Sequence, residues 1–290
     1  MQISTATSVI SKSYSIEDTV RMLCEAGYDA IDMTLYGVYN YFERDNRAEI
    51  IKNLKSMVSS YGVRFNQAHA PFGGGYERYK NELVYKMPSV LEFAGELGVD
   101  AVVVHPVHDG RYLGDEERHF DINMKLYSDL APYAKAAGVK IAIENMWQKH
   151  PVTQNATIGA CGIPSELCRY YDALGDPDTF TVCLDIGHVA LCAREPEDAI
   201  RTLGSNRLGA LHVSDCDYVS DLHTLPGLGK INWDNVCHAL ADIDYRGTFT
   251  YEANGFLKNL VPEQYPSAIK LMVDTARYLT DKIEKYKAEK

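Results

Sequence analysis

Histidine, aspartate and glutamate interrupt the apolar runs of this sequence at recurring places. In TVCLDIGHVALC, residues 181–192, Asp185 and His188 stand between Val182-Cys183-Leu184 and Val189-Ala190-Leu191, two stretches that read as buried. A charge in a core is costly unless it is paired or holds a metal. The segment is therefore either a polar strand end with a satisfied histidine or part of a metal site. The pattern repeats: AHAPF carries His69, VVVHP carries His105, IAIEN carries Glu144, LHVSD carries His212 and TFTYEA carries Glu252 late in its run. A lone strand-end histidine is more often structural than a ligand. Six successive runs that deliver His, Asp or Glu to one position are poorly explained by random polarity. Two Glu, one Asp and one His make a mixed oxygen and nitrogen donor set, which suits Mn2+, Mg2+ or Zn2+ better than a thiolate-seeking metal.

The elements that must position these residues alternate along the chain. ISTATS precedes the helix signal SIEDTVRMLCEAG, with Ser15 as N-cap and Gly27 as stop. AIDMTL, VRFNQAHA, AVVVHP, KIAIEN, TVCLDIGH, LGALHVSD and TFTYEA follow as β-rich runs, each separated from the next by a helical pattern. The helices expected to follow the third and fourth runs are NELVYKMPSVLEFAGELG, in which Pro88 would kink or restart the helix, and MKLYSDLAPYAKAAG. Near-continuous apolar strands are those of a parallel sheet covered on both faces. Eight such units in 290 residues predict an α/β fold of the (β/α)8 TIM barrel type, one domain over residues 1–290. A doubly wound sheet would more usually show G-x-G-x-x-G after its first strand, and this chain does not. FGGG at 72–75 lacks the Lys-Ser/Thr of a phosphate loop and reads as a flexible loop at the barrel mouth. In this architecture catalytic groups gather at the carboxyl ends of the strands, where these His, Asp and Glu fall.

Composition narrows the partners. The net charge is −11 without a basic cluster, which argues against a nucleic-acid backbone as ligand. No stretch approaches a membrane span, and the start MQISTATSV lacks the pattern of a secretory leader. Seven cysteines without a C-x-x-C are expected to be free thiols in a reducing cytoplasm, with Cys183 and Cys216 as small core residues. A homo-oligomer is left open.

The ordered set AHAPF, VVVHP, IAIEN, LDIGH, LHVSD, DLHTLPGLGKINW and TFTYEA resembles the sugar phosphate isomerase/epimerase group of the xylose isomerase-like TIM barrels, over residues 65–255. That resemblance implies a divalent-metal-dependent isomerase or epimerase of a small carbohydrate. It implies one metal ion held by Glu144, Asp185, His212 and Glu252, with His188 facing the substrate oxygens. The same fold family includes the endonuclease IV enzymes with three metals, and the positions of their larger ligand set are also filled, by His69, His105, Glu144, Asp185, His188, His212, Asp221, His223 and Glu252. Duplex binding, however, needs Lys and Arg at the mouth. The segments FGGGYERYK, VHDGRYLGDEERHF, NMWQKHPVTQ and VSDCDYVSD are mixed or acidic, so sugar chemistry is favoured. Ketose 3-epimerases of the superfamily typically carry a Glu six residues past the strand-five Glu and an Arg six past the metal His. Here those places hold His150 and Tyr218, which argues against a free ketohexose bound in that manner and leaves an inosose, hydroxypyruvate, a sugar acid or a modified glycoside open.

Proton transfer beside a carbonyl needs an electrophile to stabilise an enediolate and a base to take the carbon-bound proton. A chelated metal is the electrophile, and Glu144 and Glu252 are the two carboxylates that would remove and return the proton. Enolate formation can also end in β-elimination, which keeps a keto-sugar or inosose dehydratase or lyase as an alternative. His69, His105 and His223 are further candidate substrate contacts, Trp147 a candidate wall against a sugar ring, and Asp221 a support or additional ligand. Pro226, Gly227 and Gly229 make a turn close to the site. Lys230 and Arg111 are the cations assigned to a substrate phosphate, if there is one, though neither lies in an anion cradle.

Overall fold

Period-two alternation, with one face of each strand inward and the other against a helix, organises the molecule. The computed structural model describes residues 1–73 and 75–290; the central glycine of the expected FGGG loop, Gly74, lies outside the described residues. The strands are β1 (Ile3–Ala6), β2 (Ala30–Thr34), β3 (Arg64–His69), β4 (Ala101–Val104) and β5 (Lys140–Glu144). A hairpin follows, β6 (Trp147–Lys149) with β7 (Ala156–Ile158), and then β8 (Phe180–Asp185), β9 (Leu208–His212) and β10 (Phe249–Tyr251). All but the hairpin form one sheet in the order β10-β1-β2-β3-β4-β5-β8-β9, with every ladder parallel. The ends of that sheet meet through a bridge between Val213 and Tyr251, with Val213 N–H donating to Thr250 O at 2.8 Å and Glu252 N–H to Val213 O at 3.1 Å. The result is the expected (β/α)8 barrel.

Helices lie outside between successive barrel strands, and their apolar faces pack on the outward residues Val102, Val104, Ile141, Ile143, Val182, Leu184 and Leu211. Local signals set their ends. Ser15 accepts the Asp18 N–H at 3.0 Å at the start of Ile16–Ala26, and Gly27 closes that helix at φ 100°, a conformation that favours glycine. The barrel interior holds a second, smaller apolar layer of Ala101, Val103, Ala142, Cys183 and Ala210. All seven cysteines are free thiols, and Cys183 and Cys216 are buried as expected.

Three expectations need correction. The helix after β4 begins at Glu116, not at Met124, because buried His119 and Asn123 continue its inner face with polar residues. Gly75 starts a helical turn, Gly75–Arg78, rather than ending a loop. The helix through Pro88 runs unbroken over Val84–Leu97, and irregularity falls before it, in the π turn Tyr79–Leu83.

Candidate metal centre and active site

Strand parity explains why the polar residues converge. His105, Glu144, Asp185 and His212 each follow by two residues a member of the interior layer, namely Val103, Ala142, Cys183 and Ala210. They therefore share the inward face, one layer nearer the carboxyl end of the barrel. Register completes the alignment, since Asp185 and His212 are direct cross-strand partners. His105 and Glu252 stand one residue beyond their ladders.

Ligand atoms of Glu144, Asp185, His212 and Glu252 lie within 4.8 Å of one another. His212 Nδ1 is 2.8 Å from Glu144 Oε1 and 3.2 Å from Glu252 Oε2. His105 Nε2 is 2.7 Å from Glu144 Oε2, and His69 Nε2 is 3.0 Å from His105 Nε2. Three further groupings share these residues: His69, His105 and Glu144; His69, His212 and Glu252; and Asp185, His188 and His223. Asp221 Oδ1 lies 3.0 Å from His223 Nε2 and 4.0 Å from His188 Nε2. Thus the structure brings together His69, His105, Glu144, Asp185, His188, His212, Asp221, His223 and Glu252.

The electrostatics are those of an incomplete charge balance. Glu144, Asp185 and His212 are fully buried and Glu252 nearly so. Among the described residues, every ion-pair partner of Glu144, Asp185 and Glu252 is a histidine. Burial pushes the Glu144 carboxyl up, but His105 and His212 outweigh it and hold the group well below the usual carboxylate range. Burial leaves Asp185 raised. His212 is opposed by burial yet raised well above the usual imidazole range by its acidic surroundings, Glu252 and Glu144 among them. Asp185 Oδ2 is buried with no hydrogen-bond partner. Three buried carboxylates, one imidazole and an orphaned oxygen fit a divalent cation, which would supply the missing charge and take up that oxygen. The cluster is a candidate divalent-metal site.

Neighbouring residues fix these groups. Asn145 ties the site to the strand after it, donating to Asp185 O at 3.0 Å while its Oδ1 accepts Asp185 N–H at 2.7 Å. His188, in the short helix Ile186–Leu191, donates its backbone N–H to Asp185 Oδ1 at 2.7 Å, and its Nδ1 lies 3.0 Å from Asn145 O. His223 Nδ1 meets Glu252 O at 2.8 Å. Asp32, fully buried on β2, accepts from Gln67 Nε2 at 2.9 Å and lies 3.5 Å from His212 Nε2. Sequence reasoning passed over Asp32, a single acid inside the apolar run AIDMTL.

Phe72 divides the mouth. It stacks on His105 at 4.3 Å, with Tyr36 edge-on to both Phe72 and His69. On one side a pocket of about 230 Å³ is lined by Phe72, His105, Met87, Met146 and Trp147. Trp147 is thus an apolar wall beside His105, not a member of the charged cluster. On the other side a pocket of about 340 Å³ reaches Glu252, His223 and Asp221. His150 Nδ1 accepts the N–H groups of Val152 and Thr153 at 3.3 and 3.2 Å, closing the hairpin turn. Tyr218, at φ 67°, donates to Glu195 Oε2 at 3.0 Å.

A family model described as xylose isomerase-like TIM barrel matches residues 20–277. The chain belongs to that family. Fructoselysine 3-epimerase of Escherichia coli O157:H7 is 24% identical over 249 residues, spanning 82% of this chain and 85% of that protein. A crystal structure of a D-tagatose 3-epimerase-like protein matches with a TM-score of 0.77 at 22% identity, covering 100% of this chain and 99% of that one. The IOLI protein, in a crystal structure with a zinc atom, matches with a TM-score of 0.72 at 20% identity, covering 99% of each chain. This family member is an enzyme. No described helix is long and apolar enough to cross a membrane.

Proposed function

We propose that the chain is a divalent-metal-dependent isomerase or epimerase of a small carbohydrate, working by proton transfer beside a carbonyl. The convergence of Glu144, Asp185, His212 and Glu252 within 4.8 Å, with Asp185 Oδ2 unpartnered, carries this reading. The similarity to fructoselysine 3-epimerase supports it. Those four side chains hold one ion, which when bound supplies a Lewis acid for the substrate's oxygens. Glu144, on β5, and Glu252, beyond β10, are the two carboxylates of the reaction. One takes the carbon-bound proton; the other returns it to the opposite face for an epimerase, or to the adjacent carbon for an isomerase. His105 Nε2 lies 2.7 Å from the second oxygen of Glu144, and His212 Nδ1 lies 2.8 Å from the first. His223 fixes the backbone at Glu252, and His188 presents Nε2 toward the substrate side. Phe72 and Tyr36 keep water from the proton in transit.

Elemental analysis and solvent exchange test the reading. One ion per chain is expected, and Asp185→Ala should release it without loss of fold. Turnover in heavy water should place deuterium on the substrate carbon. Glu144→Gln and Glu252→Gln should each lose roughly 10²–10⁴-fold in rate, the contribution of a positioned base. Near-full activity in both variants sinks the two-carboxylate mechanism, and an eliminated product in place of an epimer assigns the lyase alternative. The groupings His69–His105–Glu144 and Asp185–His188–His223 favour a second reading, a three-metal nuclease. Three tightly held zinc ions with binding to an abasic duplex would select it, against the charge of −11.

A further inference from the structure

The pocket beside Glu252 is lined by two lysines that the proton-transfer chemistry does not use. Lys12 ends the 3-10 turn Ile10–Lys12 after β1, and Lys258 follows the short helix Asn254–Leu257 after β10. β1 and β10 are paired in parallel, Ile3 opposite Phe249, so their carboxyl-end loops are neighbours. Both lysines line the same pocket of about 340 Å³, with Ser8, Tyr36, Tyr39 and Asn254. Several lysines elsewhere pair with carboxylates, as Lys80 does with Glu77, Lys125 with Asp129 and Lys282 with Asp234, while Lys55 and Lys140 donate to the backbone carbonyls of Glu96 and Pro177. Among the described residues, Lys12 and Lys258, like Lys149 and Lys230, have no carboxylate partner; both are exposed, and what sets them apart is that they line one pocket. The two carboxylates that face this pocket are already engaged, Asp221 by His223 and Glu252 by His212. A further polar group waits in the same wall: Ser8 is 3% exposed, and its Oγ has no hydrogen-bond partner. An acidic protein that leaves two cations and a buried hydroxyl unpartnered around one pocket has left room for an anion.

We infer that Lys12 and Lys258, with Ser8, form an anion subsite that selects a keto-sugar bearing a phosphate or a carboxylate on the end remote from its reacting carbons. The inference rests on the proposed reaction for the orientation of the sugar: carbonyl toward Glu252, anionic tail toward the lysines. Phosphate and carboxylate share the chemistry that the two ammonium groups recognise, as point charges with rotatable donors.

Three sugars separate the sources: a neutral ketohexose, the same ketohexose with a terminal phosphate, and its terminal uronate. Wild-type kcat/KM, read as deuterium exchange from solvent, should favour one anionic form over the neutral one by on the order of tenfold to a hundredfold, the effect of charge-assisted contacts discounted for exposure. Whichever anion leads names the source. In the Lys12→Ala/Lys258→Ala variant the anionic-to-neutral ratio should fall toward one, mainly through KM, and Lys12→Arg/Lys258→Arg should restore part of it. Independently of any turnover, inorganic phosphate titrated calorimetrically should bind the wild type more tightly than the double alanine variant. Equal use of neutral and anionic sugars, or a ratio unmoved by the double substitution, overturns the subsite while leaving the metal-dependent reaction in place. If no sugar exchanges, the reaction fails, and the phosphate titration alone decides the subsite: equal affinity in both proteins overturns it.

Discussion

Two buried aspartates follow adjacent barrel strands, and they are treated oppositely. Asp215, just past β9, spends both oxygens. Oδ1 accepts the N–H groups of Cys216 and Ile231 at 2.9 and 3.1 Å, and Oδ2 accepts Gly227 N–H and Trp233 Nε1–H at 2.8 and 2.9 Å. It staples the turn after β9 onto the barrel, and a Cβ at Gly229 would fall 2.2 Å from its Oδ1, so glycine is required there. Asp185, at the end of β8, accepts one N–H from His188 and leaves Oδ2 bare. Both are fully buried. Burial alone therefore does not distinguish a structural carboxylate from a candidate ligand; completeness of its hydrogen bonding does.

The largest effect should come from exchanging the fates of these two residues. Asp215→Ala orphans four donors and should cost on the order of 4 kcal/mol of unfolding free energy, read by urea denaturation. Asp185→Asn should instead leave the metal-free protein as stable as before, or more so, because it removes one of three crowded carboxylates. Equal destabilisation by both would erase the contrast. A smaller effect tests a satisfied histidine. Burial lowers His108 to about 4, and its Nε2 accepts Ala160 N–H at 3.0 Å, which needs the neutral ring. The unfolded group titrates near 6.5, so the unfolded chain binds more protons between the two values. The stability from neutral His108 is complete above the unfolded value and is lost as pH falls toward the folded one. Wild type should lose on the order of 2 kcal/mol more than His108→Gln between about pH 7 and about pH 4.5. The smallest effect sharpens the accounting at Asp215: Trp233→Phe deletes one of its four donors and should cost about 1 kcal/mol.

The legible part of this molecule was the part governed by period two. Cys183-Leu184-Asp185 and Ala210-Leu211-His212 alternate so regularly that strand, inward face and rim position follow from the letters. Where inner faces are polar the signal fades, as at His119 and Asn123, and the helix start was placed eight residues late. Asp32 was missed because a single acid in AIDMTL reads as noise until Gln67 and His212 are seen around it. The hairpin of Trp147–Lys149 with Ala156–Ile158 is too short for any periodicity to declare. Lys12 and Lys258 are 246 positions apart, and only the pairing of β1 with β10 puts them in one pocket.

His212 and Glu252 stand on opposite sides of the one join where the sheet's two ends meet, through a single bridge and two backbone hydrogen bonds. The β5–β8 ladder beside Glu144, by contrast, is four residues long. Local opening costs least where fewest backbone bonds must break together. By that measure the barrel should open most easily along the line that separates His212 from Glu252, two of the four candidate ligands. Opening there would lengthen the His212–Glu252 spacing with Glu144 and Asp185 in place, a route by which a buried site could exchange an occupant without unfolding. Amide hydrogens of Val213 and Glu252 should accordingly exchange with solvent ahead of those of Ile143 and Glu144.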